Sequence, residues 1–358
     1  MKKVLFILLS TVFYMSVYSQ DISPRRPNDP PPVDKSVSRD RADKNNDFYD
    51  NEETYILMKR DLYIEGEIEN PGKVDFTKLT RRSVIVKEAL LNKDSGNQFV
   101  GAYRYDGYSL FDILKDRVLK KNNAADFNPV IDVYVEIENA QGEKVVVSWG
   151  EIFYPNVLHQ SIIATSVMRI VPSKSKDQWP LPSNSKLVMA ADLLTERNIR
   201  MPAKITVRSY KCEYKVTRDM DPLYSEAVTV LQGGKELDAF KETPGFQKET
   251  LHTIFYGKGR GIHSTTPFTG ICLKDYLAEK THVNRKSIRG GLIVLAGIDG
   301  YRAVYTFSEI MNRNDQAEVL IVPAEEDKNG GKFRIFPACD FFSDRAVKAL
   351  TEIRLEIN

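Results

Sequence analysis

The feature that most constrains this chain is an internal repeat. Residues 106–114 (DGYSLFDIL) align with residues 269–277 (TGICLKDYL). The shared pattern is aromatic-x-Gly-x-x-Leu-x-Asp-x-Leu, led by Tyr105 in one copy and Phe268 in the other. A chain that repeats itself over such a length solves one packing problem twice. In each copy a strand-like run ends at the glycine, and the two leucines, four apart, predict a helix with one apolar face.

A hairpin follows in both copies. Residues 133–137 alternate apolar and polar, Gln141 and Gly142 turn the chain, and 144–148 return. The second copy gives 292–296, a turn at Asp299 and Gly300, and 301–307. Asp-Gly between alternating runs is a strong hairpin signal. Each return leads into a Glu-Ile pair, and Gly142 to Gly300 and Glu151 to Glu309 are the same 158 residues apart. Residues 170–172 (IVP) answer 321–323 (IVP). Residues 187–192 then precede Arg197 as 334–340 precede Arg345, with Asp192 and Asp340 each five residues before the arginine. Closing strands are expected at 204–207 and 352–357. The predicted units are 55–210 and 225–358, joined by a charged connector over 210–222. Strands that alternate, rather than run continuously apolar, favour mixed or antiparallel sheets with short helices, so the expected class is α+β.

Composition narrows the function. A length of 358 residues suits two domains, and 42% hydrophobic residues suffice for packed cores. With 51 Lys+Arg against 49 Asp+Glu there is no basic excess of the kind that nucleic-acid binding needs. Lys2 and Lys3 precede an apolar run over 4–18, too short to span a bilayer comfortably, with Val17 and Ser19 fitting the small-residue cleavage rule. Residues 1–20 therefore read as a secretory signal peptide without a twin-arginine pair. The protein is expected to be exported to the periplasm, cell surface or medium, with no stable membrane anchor. Residues 21–54, rich in proline and charge, read as a disordered linker.

The repeated pattern resembles the molybdopterin-binding domain of the sulfite oxidase type. In the first copy the resemblance is carried by residues 62–66 (LYIEG) with Asn70, Pro71 and Gly72, by 105–114, 145–151, 181–189 and 198–207. In the second it is carried by Phe268, Thr269 and Gly270, by Asp299, Gly300 and Tyr301, by Ser308 and Glu309, and by 345–355. It covers most of residues 60–358, twice. It implies two copies of that fold, each built to hold a pterin dithiolene with molybdenum, and chemistry on small oxygenated substrates. It also implies a cysteine thiolate on the metal, shortly before the Gly-x-x-Leu block; a soft ligand suits that task. Neither 94–99 nor 255–261 contains a cysteine, and none occurs in residues 1–210. A secretory signal would also deliver the chain without an internally assembled cofactor. The expectation is an exported, non-catalytic binding protein without cofactor, whose ligand is a small anion or an envelope partner. The alternative is a molybdopterin-dependent oxidoreductase with an atypical metal site.

The resemblance further implies a phosphate cradle near the last strand of each copy. The matching positions are Asn198, Ile199 and Arg200, and Ala346, Val347 and Lys348, with Arg197 and Arg345 just before them. Guanidinium forks suit phosphate or carboxylate; the competing reading is a surface basic pair or a salt bridge to Asp192 or Asp340. Arg197, Asn198, Arg200, Arg345 and Lys348 are the candidate anion-binding residues. Lys258, Arg260 and His263 are weaker candidates, since the glycine-rich run 257–261 lacks the Walker pattern. No carboxylate stands at a fixed spacing from His263, and the four histidines show no metal-ligand spacing, so no catalytic or metal residue is assigned. Cys272 is expected to be a buried thiol. A disulfide from Cys212 to Cys272 or Cys339 stays open.

Overall fold

The computed structural model describes residues 52–92, 96–172, 175–212, 215–324 and 330–357. The expected signal peptide, and all of the expected linker except residues 52–54, lie outside them.

Alternating runs become strands where one face meets the core. β6 (Val133–Asn139) turns Val133, Val135 and Ile137 inward and leaves Tyr134, Glu136 and Glu138 partly exposed. It pairs antiparallel with β7 (Lys144–Ser148) across a turn in which Gly142 has φ 81°, a left-handed value that glycine adopts freely. The counterparts are β17 (Leu292–Gly297) and β18 (Arg302–Thr306), turning at Gly300 with φ 82°.

The first half of the described chain holds two sheets. One runs β3 (Gly72–Lys73), β2 (Tyr63–Gly66), β10 (Pro202–Ser209), β6, β7, with β2 and β10 parallel. In the other, β4 (Arg82–Asn92), β5 (Gly96–Ser109) and β8 (Ser161–Arg169) are neighbours, and β1 (Thr54–Ile56) and β9 (Lys186–Met189) share the outer edge of β8. The second half repeats both orders. One sheet runs β12 (Lys235–Phe240), β11 (Val228–Gln232), β21 (Leu350–Glu356), β17, β18, with β11 and β21 parallel. The other runs β13 (Lys248–Leu251), β16 (Phe268–Cys272), β19 (Val319–Pro323), β20 (Phe333–Pro337). A separate hairpin pairs β14 (Phe255–Gly257) with β15 (Gly261–Ser264).

These facts correct the expected fold class. The structure is 44% strand and 12% helix, in four small sheets set in a four-bladed, propeller-like arrangement, not an α+β pair of sulfite oxidase-like domains. The reason lies in the helices. α1 (Leu110–Leu114), α2 (Trp149–Phe153), α3 (Leu273–Ala278), α4 (Arg285–Gly290) and α5 (Phe307–Met311) have five or six residues each. Two leucines four apart fix a single turn, and a single turn adds no helical layer. Among the described residues, no helix is long and apolar enough to cross a membrane.

Two large cores form. In the first, Ile64, Val135, Ile205 and Leu187 pack with Leu110 and Leu114 of α1; in the second, Val230, Ile293, Ile321 and Ile353 pack with Leu273 and Leu277 of α3. A smaller cluster joins the halves: Val146 of β7 and Tyr210 pack against Leu292, Val294 and Val304 of β17 and β18. That contact buries β17 and β18 on both faces.

Candidate functional site

Beside that apolar contact lies a buried charged cluster, and two of the sequence-derived candidates fall in it. α2 begins with a capping box: Ser148 Oγ accepts from Glu151 N, and Glu151 Oε2 accepts from Ser148 N. α5 repeats it with Thr306 and Glu309. The box satisfies helix N–H groups that have no partner within the turn. Here each cap hydroxyl also donates across the junction. Ser148 Oγ donates to Glu309 Oε2 at 2.8 Å, and Thr306 Oγ1 donates to Glu151 Oε2 at 3.0 Å. The two halves thus exchange caps about an approximate twofold relation.

The arginines complete the cluster. Arg197 donates from Nε and Nη2 to Asp192, from Nη1 and Nη2 to Glu151, and from Nη1 to Thr306 Oγ1 and the Val146 carbonyl. Arg345 donates from Nε and Nη2 to Asp340, from Nη2 to Glu309, and from Nη1 to Ser148 Oγ and the Val304 carbonyl. The Arg345 guanidinium also lies 4.0 Å from the Tyr305 ring centroid. No side chain among Glu151, Asp192, Arg197, Glu309, Asp340 and Arg345 is more than 9% exposed. Their mutual fields decide their titration. Burial opposes ionisation of Glu151, but Arg197 and the cap donors hold its carboxyl below the usual range. Burial and the neighbouring Glu151 push Glu309 above it, against the pull of Arg345. Burial likewise raises Asp192 against Arg197. Among the lining of a small cavity next to the cluster, about 20 Å³ in volume, are Tyr154, Gln160, Ser161, Cys339 and Arg345. It has room for one water, and the Tyr154 hydroxyl is buried there without a partner.

The candidate anion residues are therefore not gathered into one site. Arg197 and Arg345 are committed to interior carboxylates, so the salt-bridge reading holds and no fork is left for a phosphate. Asn198 is engaged as well: its Nδ2 donates to Glu88 Oε1 and its Oδ1 accepts from Met189 N. Arg200 and Lys348 are exposed. Lys258 and Arg260 stand at the tip of the β14–β15 hairpin, and His263 on β15 packs its ring 5.5 Å from that of Phe255. Missed from the sequence were Ser148, Glu151, Thr306 and Glu309 as the centre of the cluster. Their signal was the Ser/Thr-x-x-Glu spacing, present in both copies.

The hairpin carries a second feature. Exposed around it are Ile254 (67%), Tyr256 (41%), Ile262 (59%) and Phe341 (48%). Tyr256 contacts the rings of Phe341 and Phe342, and Phe342 contacts Tyr154. Large exposed apolar groups that cluster, unlike scattered ones, mark interaction surfaces.

The residues present do not fit a molybdenum dithiolene. None of the three cysteines is in a disulfide. Cys212 lies in the connector, Cys272 inside the Gly-x-x-Leu block and Cys339 after β20, so none stands shortly before that block, where the metal would need its thiolate. Residues 96–99 and 258–260 are exposed, and Asp94 lies outside the described residues. Among the described residues, no group of three or more His, Cys, Asp or Glu is placed to hold a metal ion.

No family model matches the chain, and no curated protein matches it. Among solved structures, a match is the crystal structure of the sulfane dehydrogenase SoxCD from Paracoccus pantotrophus. It is 11% identical, covers 82% of this chain and 76% of that chain, and superposes with a TM-score of 0.29. At that score the likeness is too loose for a fold or an activity to pass from one chain to the other.

Proposed function

We propose that this is an exported, non-catalytic binding protein, and that it engages an acidic envelope protein through the β14–β15 hairpin. The observation that carries this reading is the juxtaposition at the hairpin. Two exposed cations, Lys258 and Arg260, cap a surface of exposed Ile254, Tyr256, Ile262 and Phe341. Apolar anchors inside a charged rim are the usual composition of a protein–protein contact. Arg197 and Arg345, the guanidinium forks of the expected phosphate cradle, are consumed inside the fold, which leaves Arg200 and Lys348 as exposed single cations and favours a macromolecular partner over a free anion.

The test is site-specific photo-crosslinking in the native host, with the photoreactive residue at position 256 or 262. One adduct of defined mass is expected at both positions, lost when Lys258→Glu and Arg260→Glu are combined. No adduct, or an adduct indifferent to the charge reversal, would overturn the assignment. Stoichiometric molybdenum or pterin in protein purified from its native source would overturn the non-catalytic reading.

A further inference from the structure

We propose that the junction between the two halves is a proton-binding site, and that the bound proton resides on Glu309. The charge count comes first. Four carboxylates (Glu151, Asp192, Glu309, Asp340) face two guanidinium groups (Arg197, Arg345) in one buried network. The nearby Arg313 adds no net charge, because it pairs with Asp315. The Tyr154 and Tyr305 hydroxyls and the Cys339 thiol, which also face the cluster, are pushed upward by burial and stay neutral. Isolated buried charge is costly enough that a group takes up a proton instead.

The approximate twofold relation would leave the choice between Glu151 and Glu309 open; the arginines break it. Glu151 receives two N–H bonds from Arg197, one on each oxygen. Glu309 receives one, from Arg345 Nη2: both Nη1 groups bond the opposite cap hydroxyl and a backbone carbonyl, but only that of Arg197 also reaches its glutamate. Asp192 and Asp340 each receive two from their arginines. Glu309 is thus the carboxyl with least guanidinium contact. Its Oε2 is bonded to the same two residues, Ser148 and Thr306, as Oε2 of Glu151. Two charged carboxylates on one pair of residues repel, and one proton between them removes the repulsion. The raised Glu309 and lowered Glu151 agree with this placement; burial raises Asp192 too, but both of its oxygens are held by Arg197.

The sign of the linkage follows. A carboxyl raised in the folded state binds a proton that the unfolded chain releases once pH exceeds the ordinary glutamate value. Stability from this proton is complete below that value and is lost as pH rises through the folded one, at one tenfold step in the folding constant per pH unit.

The experiment uses the full chain. Chemical unfolding is followed across pH 5 to 8, which lies above the unfolded glutamate value, for the wild type, Glu309→Gln and Glu151→Gln. The wild type should lose stability as pH rises, Glu309→Gln should show a slope smaller by one proton, and Glu151→Gln should be less stable throughout. An unchanged slope in Glu309→Gln would overturn the proposal. Should that variant fail to fold, carboxyl-carbon NMR of the wild type decides. One glutamate signal that titrates above the ordinary glutamate range supports the site, and all glutamates titrating within or below that range overturn it.

Discussion

A Cβ at position 107 would lie 2.1 Å from the Ile163 carbonyl oxygen, and one at position 270 would lie 2.4 Å from that of Ile321. The glycine in both copies of the repeat is therefore set by the close approach of a neighbouring strand, β8 in one half and β19 in the other. Gly142 differs: nothing lies within 4 Å of an added Cβ, and only its positive φ resists a side chain. Gly142→Ala is expected to cost about 1 kcal/mol, and Gly107→Ala at least about 1–3 kcal/mol because backbone must move. Denaturant midpoints of the two variants check the ranking. Arg197 and Arg345 follow the same logic of local necessity. Arg197→Met would leave Glu151 and Asp192 buried without their cation, an expected loss of about 3–5 kcal/mol, read by the same measurement. The five-residue spacing from aspartate to arginine was legible in the sequence. The spacing alone did not show that a second carboxylate, from α2 or α5, closes the other side of each guanidinium.

At the scale of elements, α2 and α5 carry more of the junction than their five residues suggest. Ser148 Oγ accepts from Glu151 N and Arg345 Nη1 and donates to Glu309; Thr306 Oγ1 accepts from Glu309 N and Arg197 Nη1 and donates to Glu151. Loss of an ordinary N-cap costs about 1 kcal/mol. Ser148→Ala and Thr306→Ala should each exceed that, since each also strips a bond from the opposite half. The double variant should depart from additivity by about 0.5–3 kcal/mol, as groups in one network do; additive losses would mean two independent caps. Much at this scale was readable in advance. The β6–β7 and β17–β18 hairpins stand where alternation and the turns at Gly142 and Gly300 put them. The helices were misjudged, because a leucine pair four apart looks the same in one turn as in four. The return strand ends at Ser148, and Trp149 opens α2. The β14–β15 hairpin has no signal in the sequence, because its glycines at 257, 259 and 261 mask a strand pair only three or four residues long.

For the whole molecule, the two halves cannot be pulled apart without exposing what each hides in the other. The contact of Val146 and Tyr210 with Leu292, Val294 and Val304 would open to water. The exchanged caps would break, leaving Glu151 and Glu309 short of donors. Further ties cross between the halves: Asp132 with Arg302, Glu196 with Arg285 and Arg289, and the Asn312 side chain with the backbone of Leu194. Asp132 and Arg302 are each at most 1% exposed; splitting them would leave Asp132 with Lys121 of its own half and take from Arg302 its buried carboxylate. Separate unfolding of one half would therefore break the buried Asp132–Arg302 pair, at a cost on the order of 3–5 kcal/mol, together with the exchanged caps and the apolar contact, a large share of what a marginally stable half holds in reserve. The chain is expected to unfold in one transition despite its repeat. Trp149 and Trp179 both belong to the first half, so their fluorescence reports that half alone, while far-ultraviolet circular dichroism reports the sheets of both. The two signals should share one denaturant midpoint and slope, and residues 52–210 expressed alone should not fold. A fluorescence transition separated from the dichroism transition, or a folded first half, would mean that the exchanged caps decorate two self-sufficient units instead of binding one.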